Sequence, residues 1–85
     1  MKELRILGVY ISDRVQDATL IQPILTKYGC SIRTRLGLHN LEDLYAGDVA
    51  LILLELTGDK EECLRLENEL LAIEGVEVQK MTFTK

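Results

Sequence analysis

Residues 4–11 read LRILGVYI, and residues 48–57 read DVALILLELT. Each run is short, apolar and rich in branched side chains, and each ends at turn formers, Ser12-Asp13 and Gly58-Asp59. That pattern marks two β-strands. Side chains on a strand alternate between its two faces. In the first run Leu4, Ile6 and Tyr10 share one face, and Leu7, Val9 and Ile11 share the other. In the second, Val49, Leu51 and Leu53 oppose Ala50, Ile52, Leu54 and Leu56. Both faces of both strands are apolar, so both belong at the centre of a sheet, with cover required on each side. Gly8, inside the first run, leaves room for another backbone to approach.

Outward from these strands, Asp13 followed by Gln16 has the logic of a capping box that opens a helix. Val15, Ala18, Ile21 or Gln22, Leu25 and Tyr28 continue at helical spacing, and Gly29 fits a left-handed residue after the last turn. Pro23 interrupts this helix, and the spacing predicts a kink near Thr19 in preference to two shorter pieces. Residues 30–38, CSIRTRLGL, alternate with period two: Cys30, Ile32, Thr34 and Leu36 against Ser31, Arg33 and Arg35. Residues 39–47 form one long connection. Asp59 and Glu62 repeat the cap pattern ahead of a second helix, expected to run to about Glu74 with Cys63, Leu66, Leu70 and Ile73 on one face. On its outer side Glu61 and Arg65 make a favourable i,i+4 pair. Gly75 closes it, and residues 76–83 form a last strand.

The order is strand, helix, strand, strand, helix, strand: a ferredoxin-like βαββαβ arrangement of α+β class. Right-handed crossovers put both helices on one face of an antiparallel sheet ordered 4-1-3-2. The 85 residues make a single domain, 1–85. The other face of the central strands has no cover within the chain, yet its residues are apolar. A patch of that size is unusual on a soluble monomer. The open face is therefore expected to pack on further copies of the chain, as a dimer or tetramer. Leu7, Val9, Ile11, Ile52 and Leu54 are assigned to that interface.

The formal charge is −4, divided into +3 over residues 1–40 and −7 over residues 41–85. An acidic chain is a poor ligand for nucleic acid, whose phosphates demand neutralisation. The asymmetry suits complementary packing between subunits. No apolar run approaches the ~20 residues of a membrane span. There is no signal-peptide pattern, and two cysteines make no disulfide framework, so a cytoplasmic protein is expected.

Chemistry-bearing motifs are sparse. Cys30 and Cys63 have no CxxC spacing, and core packing is the favoured reading for both. His39 is the only histidine. Arg33 and Arg35 share a strand face and could hold an anion, pair with an acidic neighbouring subunit, or face water. No phosphate loop, zinc motif, dinucleotide fingerprint or nucleophile–base pair appears. Catalytic residues, metal ligands and cofactors are all expected to be none, so the chain binds or regulates and is not an enzyme. A pure assembly module without ligand remains the alternative, and a small enzyme on this scaffold the lesser one.

LRILGVYISDR, YGCSIRTRLGLH, DVALILLELTGDKEEC and LLAIEGVEVQKMTF together resemble the regulators of iron-only hydrogenase systems. That family is similar to ACT-like regulatory domains and to the C-terminal domain of the nickel-responsive repressor. The resemblance implies a βαββαβ fold, assembly through sheets, and sensing of a small effector or docking on another regulatory protein. It also implies a ligand near Ser12 and Asp13, at the first strand-to-helix turn; Arg33, Arg35 and His39 are further candidates from their side-chain chemistry alone. The repressor's nickel ligands are not matched: His39 stands alone, and the position of the repressor's cysteine is about Ala50. Its DNA-binding ribbon-helix-helix has no counterpart ahead of Leu4, so direct nucleic-acid binding is not expected.

Overall fold

The computed structural model describes residues 3–11, 18–39 and 50–84. The Asp13 cap and the connection after His39 lie outside these residues. Strand β1 spans Glu3–Ile11. A 3-10 turn, Ala18–Leu20, leads into helix α1, Ile21–Lys27, and a second turn, Gly29–Ser31, leads into β2, Ile32–His39. Strand β3 (Ala50–Leu56), helix α2 (Lys60–Leu71) and strand β4 (Val76–Thr84) complete the chain. The sheet order is β2-β3-β1-β4, the anticipated order read from the opposite edge. Every neighbouring pair is antiparallel. This is a ferredoxin-like, ACT-like α+β fold.

Strand β1 alternates throughout. Arg5, Leu7, Val9 and Ile11 are buried, while Leu4, Ile6, Gly8 and Tyr10 are half-buried. The buried set meets Ile52, Leu54 and Leu56 of β3 in one cluster with Ile21, Leu25 and Tyr28 from the first helical segment and Cys63, Leu66, Leu70 and Ile73 from the second. Leu7, Leu54, Leu66 and Leu70 lose all contact with water, each worth ~1.5–3 kcal/mol. Hence Leu7, Val9, Ile11, Ile52 and Leu54, assigned above to the subunit interface, form the chain's own core beneath the helices. Parity of the apolar residues could not separate the two faces, because both sets are apolar. The opposite set, Leu4, Ile6, Tyr10, Leu51 and Leu53, is half-buried and is the one that the described helices leave uncovered.

Three local expectations change. Pro23 does not kink a long helix: it is the third residue of α1, in the first turn, where N–H groups lack intrahelical acceptors anyway. The segment is instead a 3-10 turn followed by a short α-helix. Gly29 is not left-handed, whereas Gly58 and Gly75 are, at φ 86° and 93°. The chain after Tyr28 tightens into a 3-10 turn, with the Ser31 N–H donating to Tyr28 O at 2.9 Å, and Cys30 on that turn is exposed. Finally, β2 carries an irregularity between Ile32 and Thr34: Ile32 opposes Leu56 while Thr34 opposes Glu55. The extra residue, Arg33, reverses the parity of everything after it. Ile32 packs on the core, but Leu36, opposite Leu53, falls on the open face.

Helix α2 is capped as expected, Asp59 accepting from the Glu61 N–H at 3.1 Å. Glu62 pairs with Arg65 one turn on, while Glu61 stands 3.9 Å from the same guanidinium. The helices are joined by Glu69, whose Oε2 accepts from the Tyr28 hydroxyl and from Lys27 Nζ at 3.0 Å. The Tyr28 hydrogen bond, then Lys27, holds the Glu69 carboxyl below its ordinary value of 4.5. The same carboxylate raises the Tyr28 phenol and the Lys27 amine.

Two outcomes are expected. Leu66→Ala should lower unfolding free energy by ~2–5 kcal/mol, whereas Leu71→Ala, 49% exposed in the wild-type chain, should change it little, both read by chemical denaturation. A carboxylate with a depressed folded-state pKa contributes stability above its unfolded value and loses it as pH falls through the folded one. Thermal melts of Glu69→Gln should therefore lie below wild type near neutrality and converge on it in acid, below about pH 4.5.

Candidate functional site

The uncovered side of the sheet can be laid out from the strand registers. Leu4 stands beside Phe83. Ile6 lies between Met81 and Glu55, Gly8 between Gln79 and Leu53, and Tyr10 between Glu77 and Leu51. On the far side of β3, Leu36 stands opposite Leu53 and Thr34 opposite Glu55. Leu36, Met81 and Phe83 are about half exposed, at 51%, 53% and 52%. Leu4, Ile6, Leu51 and Leu53 between them are partly exposed. The result is one continuous apolar strip across all four strands. Polar pairs stand beside it, with Thr34 Oγ1 donating to Glu55 Oε1 at 2.8 Å and Gln79 donating to Glu77 at 3.3 Å. A β-carbon at Gly8 would meet Leu53 Cδ2 at 3.7 Å and Gln79 O at 3.9 Å, ordinary contacts. Nothing within the chain therefore requires glycine at the centre of the strip.

Among the candidate ligand residues only Arg33 and Arg35 have described side chains, and these two do not converge. Ser12 and Asp13 lie outside the described residues. Arg33 sits exposed at the β2 irregularity. Arg35, opposite Leu54, lies on the helix-covered side and donates to Gln22 Oε1 at 2.7 Å. The backbone of His39 ends β2, opposite Ala50, and its side chain lies outside the described set. Six steps along the strand separate its backbone from that of Arg33, about 20 Å at 3.3 Å each. Among the described residues no group of three or more His, Cys, Asp or Glu is placed to hold a metal ion. No helix among them is long and apolar enough to cross a membrane.

A second polar centre escaped the sequence reading. Arg5 shares the parity of Leu7, Val9 and Ile11 and is buried with them, 7% exposed. Its Nη2 donates to Glu3 Oε1 at 3.0 Å, and its Nη1 lies 3.6 Å from Glu67 Oε1 on α2. Glu67 also meets Lys80 Nζ at 3.3 Å. Beside Arg5, Cys63 donates its thiol to Thr57 O at 3.6 Å. Burial pushes that thiol's pKa up, partly countered by Arg5. The one sequence signal was a charge at a core parity between Leu4 and Ile6.

No family model matches the chain, and no curated protein matches it. Solved structures do. The uncharacterized protein TM1266 from Thermotoga maritima superposes with TM-score 0.76 at 23% identity, over 98% of this chain and 100% of that one. The ACT domain from GTP pyrophosphokinase of Chlorobium tepidum gives 0.64 at 19% identity, over 92% and 96%. CPII, a nitrogen regulatory PII-like protein from Thiomonas intermedia K12 bound to ADP, AMP and bicarbonate, gives 0.56 at 15%, over 99% and 93%. At these identities the likeness establishes the fold.

Removing one member of a buried ion pair leaves the other charge unpaired. A double-mutant cycle of Arg5→Met and Glu67→Leu should therefore show a coupling of about 1–3 kcal/mol in unfolding free energy. Additive losses would mean that the two side chains do not interact across 3.6 Å.

Proposed function

We propose that the chain is a small regulatory domain that works as a homo-oligomer, packing copies of itself through the uncovered sheet face and sensing a small effector rather than catalysing a reaction. The observation that carries this is the apolar strip from Phe83 to Leu36. Covering its side chains removes several hundred Å² from water on each copy. At ~25 cal/mol per Å² this yields several kcal/mol per subunit, a sum able to offset the cost of association. A second copy is the fitting occupant because the apolar centre of the strip is self-complementary, with Glu55 and Glu77 in the rows beside it placed at a polar rim.

Effector sensing is supported by the fold shared with an ACT domain and a PII-like regulatory protein. The sequence resemblance to regulators of iron-only hydrogenase systems suits the same reading. Two free cysteines, one exposed and one buried, suit a reducing cytoplasmic setting. A tetramer built on the dimer, or docking on a different regulatory protein, are further outcomes of the same surface.

Leu36 and Met81 are each half exposed, so charging them costs the lone chain little. Sedimentation of Leu36→Lys/Met81→Lys should give a folded monomer at concentrations where wild type is a dimer or larger. A wild-type chain that sediments as a monomer when concentrated would defeat the proposal.

A further inference from the structure

Arg5 occupies a position that packing alone would give to leucine. It lies one step along β1 from Leu7, on the helix-covered face, and only 8% of its side chain reaches solvent. Burying a paired charge there gains little over a hydrophobic replacement. The guanidinium lies at a cleft of about 650 Å³, within the range of small-molecule pockets, roughly 300–1,000 Å³. The cleft opens between the end of the sheet and the first turn of α2, and Glu3, Arg5, Thr57, Lys60 and Thr84 provide its polar side chains. Two of these are cationic, one is anionic and two are hydroxyls.

From this lining we propose that the cleft binds a small oxyanion, the carboxylate or phosphate group of a low-molecular-weight effector, and that the Glu3 carboxylate holds the place on Arg5 that the effector takes. Glu3 accepts one hydrogen bond from Arg5 Nη2 at 3.0 Å, and its side chain is 32% exposed. It is thus the displaceable partner of the two carboxylates beside Arg5. Glu67, at 12% exposure, stays behind with Lys80 at 3.3 Å. Arg5 Nη1 and Glu67 Oε1 are buried and face each other at 3.6 Å, an ion pair without a hydrogen bond, so the Nη2 bond to Glu3 is the guanidinium's side-chain hydrogen bond among the described residues. A guanidinium fork suits the planar oxygens of a carboxylate or phosphate. Lys60, exposed on the first turn of α2, adds a second positive charge where the incoming group would sit. With Glu3 displaced, both cations face the ligand. The site stands at the start of β1, the end away from Ile11, and on the opposite side of the sheet from the apolar strip. It therefore goes beyond the assembly reading and does not depend on it.

The test is titration of the isotope-labelled full chain with inorganic phosphate and, separately, with acetate, at constant ionic strength in chloride, read from backbone amide shifts. Saturable movement of the Arg5, Gly58, Lys60 and Cys63 amides is expected, and the tighter probe identifies phosphate or carboxylate as the preferred group. Lys60→Ala should weaken binding about three- to tenfold, and Glu3→Gln should tighten it by a similar factor. Lys60 is exposed, and Gln at position 3 keeps an oxygen for Arg5 Nη2 while Glu67 keeps its charge beside Arg5, so both variants should stay folded, and thermal unfolding checks that they do. Shifts that stay linear with both probes, or an affinity unchanged in Lys60→Ala, overturn the site. An affinity unchanged in Glu3→Gln overturns the place-holding role of Glu3. Sedimentation of the same samples keeps the two proposals apart, since loss of anion binding leaves the assembled mass where it was.

Discussion

The structure depends on β1 being apolar on both faces while flanked by β3 and β4. One face of that strand buries Leu7 and Val9 under two helices and drives the fold of the single chain. The other, Leu4, Ile6 and Tyr10, gains nothing from the helices and remains half in water. A sheet covered on one side only satisfies half of what such a strand requires. The same strand thus defines the core and the surface proposed to pack on another copy. Both follow from one alternation, shifted by one residue.

The register of β2 extends that surface to the far edge of the sheet. Without the irregularity at Arg33, Leu36 would share the parity of Ile32 and point toward the helices. With it, Ile32 stays in the core and Leu36 joins Leu53 on the open side. One extra residue therefore connects the strip across β2, which a regular strand would have left polar there. It also separates Arg33 from Arg35 in register, so the two guanidiniums do not act as the matched pair that simple alternation implied.

The polar end of the core works on a different principle. Toward the start of β1 the helix-covered face passes from Leu7 to Arg5 and Glu3, and α2 answers with Glu67. Low dielectric makes each of these charges costly alone and strong when paired. The cluster stands beside the cleft lined by Glu3, Arg5 and Lys60. This end of the core and the apolar strip lie on opposite sides of the sheet.

Most of the architecture was legible in the residues. Element order, sheet order, the Asp59 cap, the α2 stripe of Cys63, Leu66, Leu70 and Ile73, and the stop of α2 ahead of Gly75 all follow from period and turn chemistry, which are local. The need for cover on both faces of β1 and β3 was legible too. The assignment of faces was not, because Leu, Ile and Val on one side carry no mark distinguishing helix from neighbour; only the docking of α1 and α2 decides it. The same holds for Pro23, whose place in a first turn depends on where the helix starts, and for the β2 irregularity, which exists only against β3. Arg5 was visible as a residue but not as a site, since its partners, Glu67 and Lys80, stand far along the chain and are brought to it by the crossover. Sequence thus fixes what must be buried, by periodicity; the tertiary structure decides against what, because that is a matter of distance in space rather than along the chain.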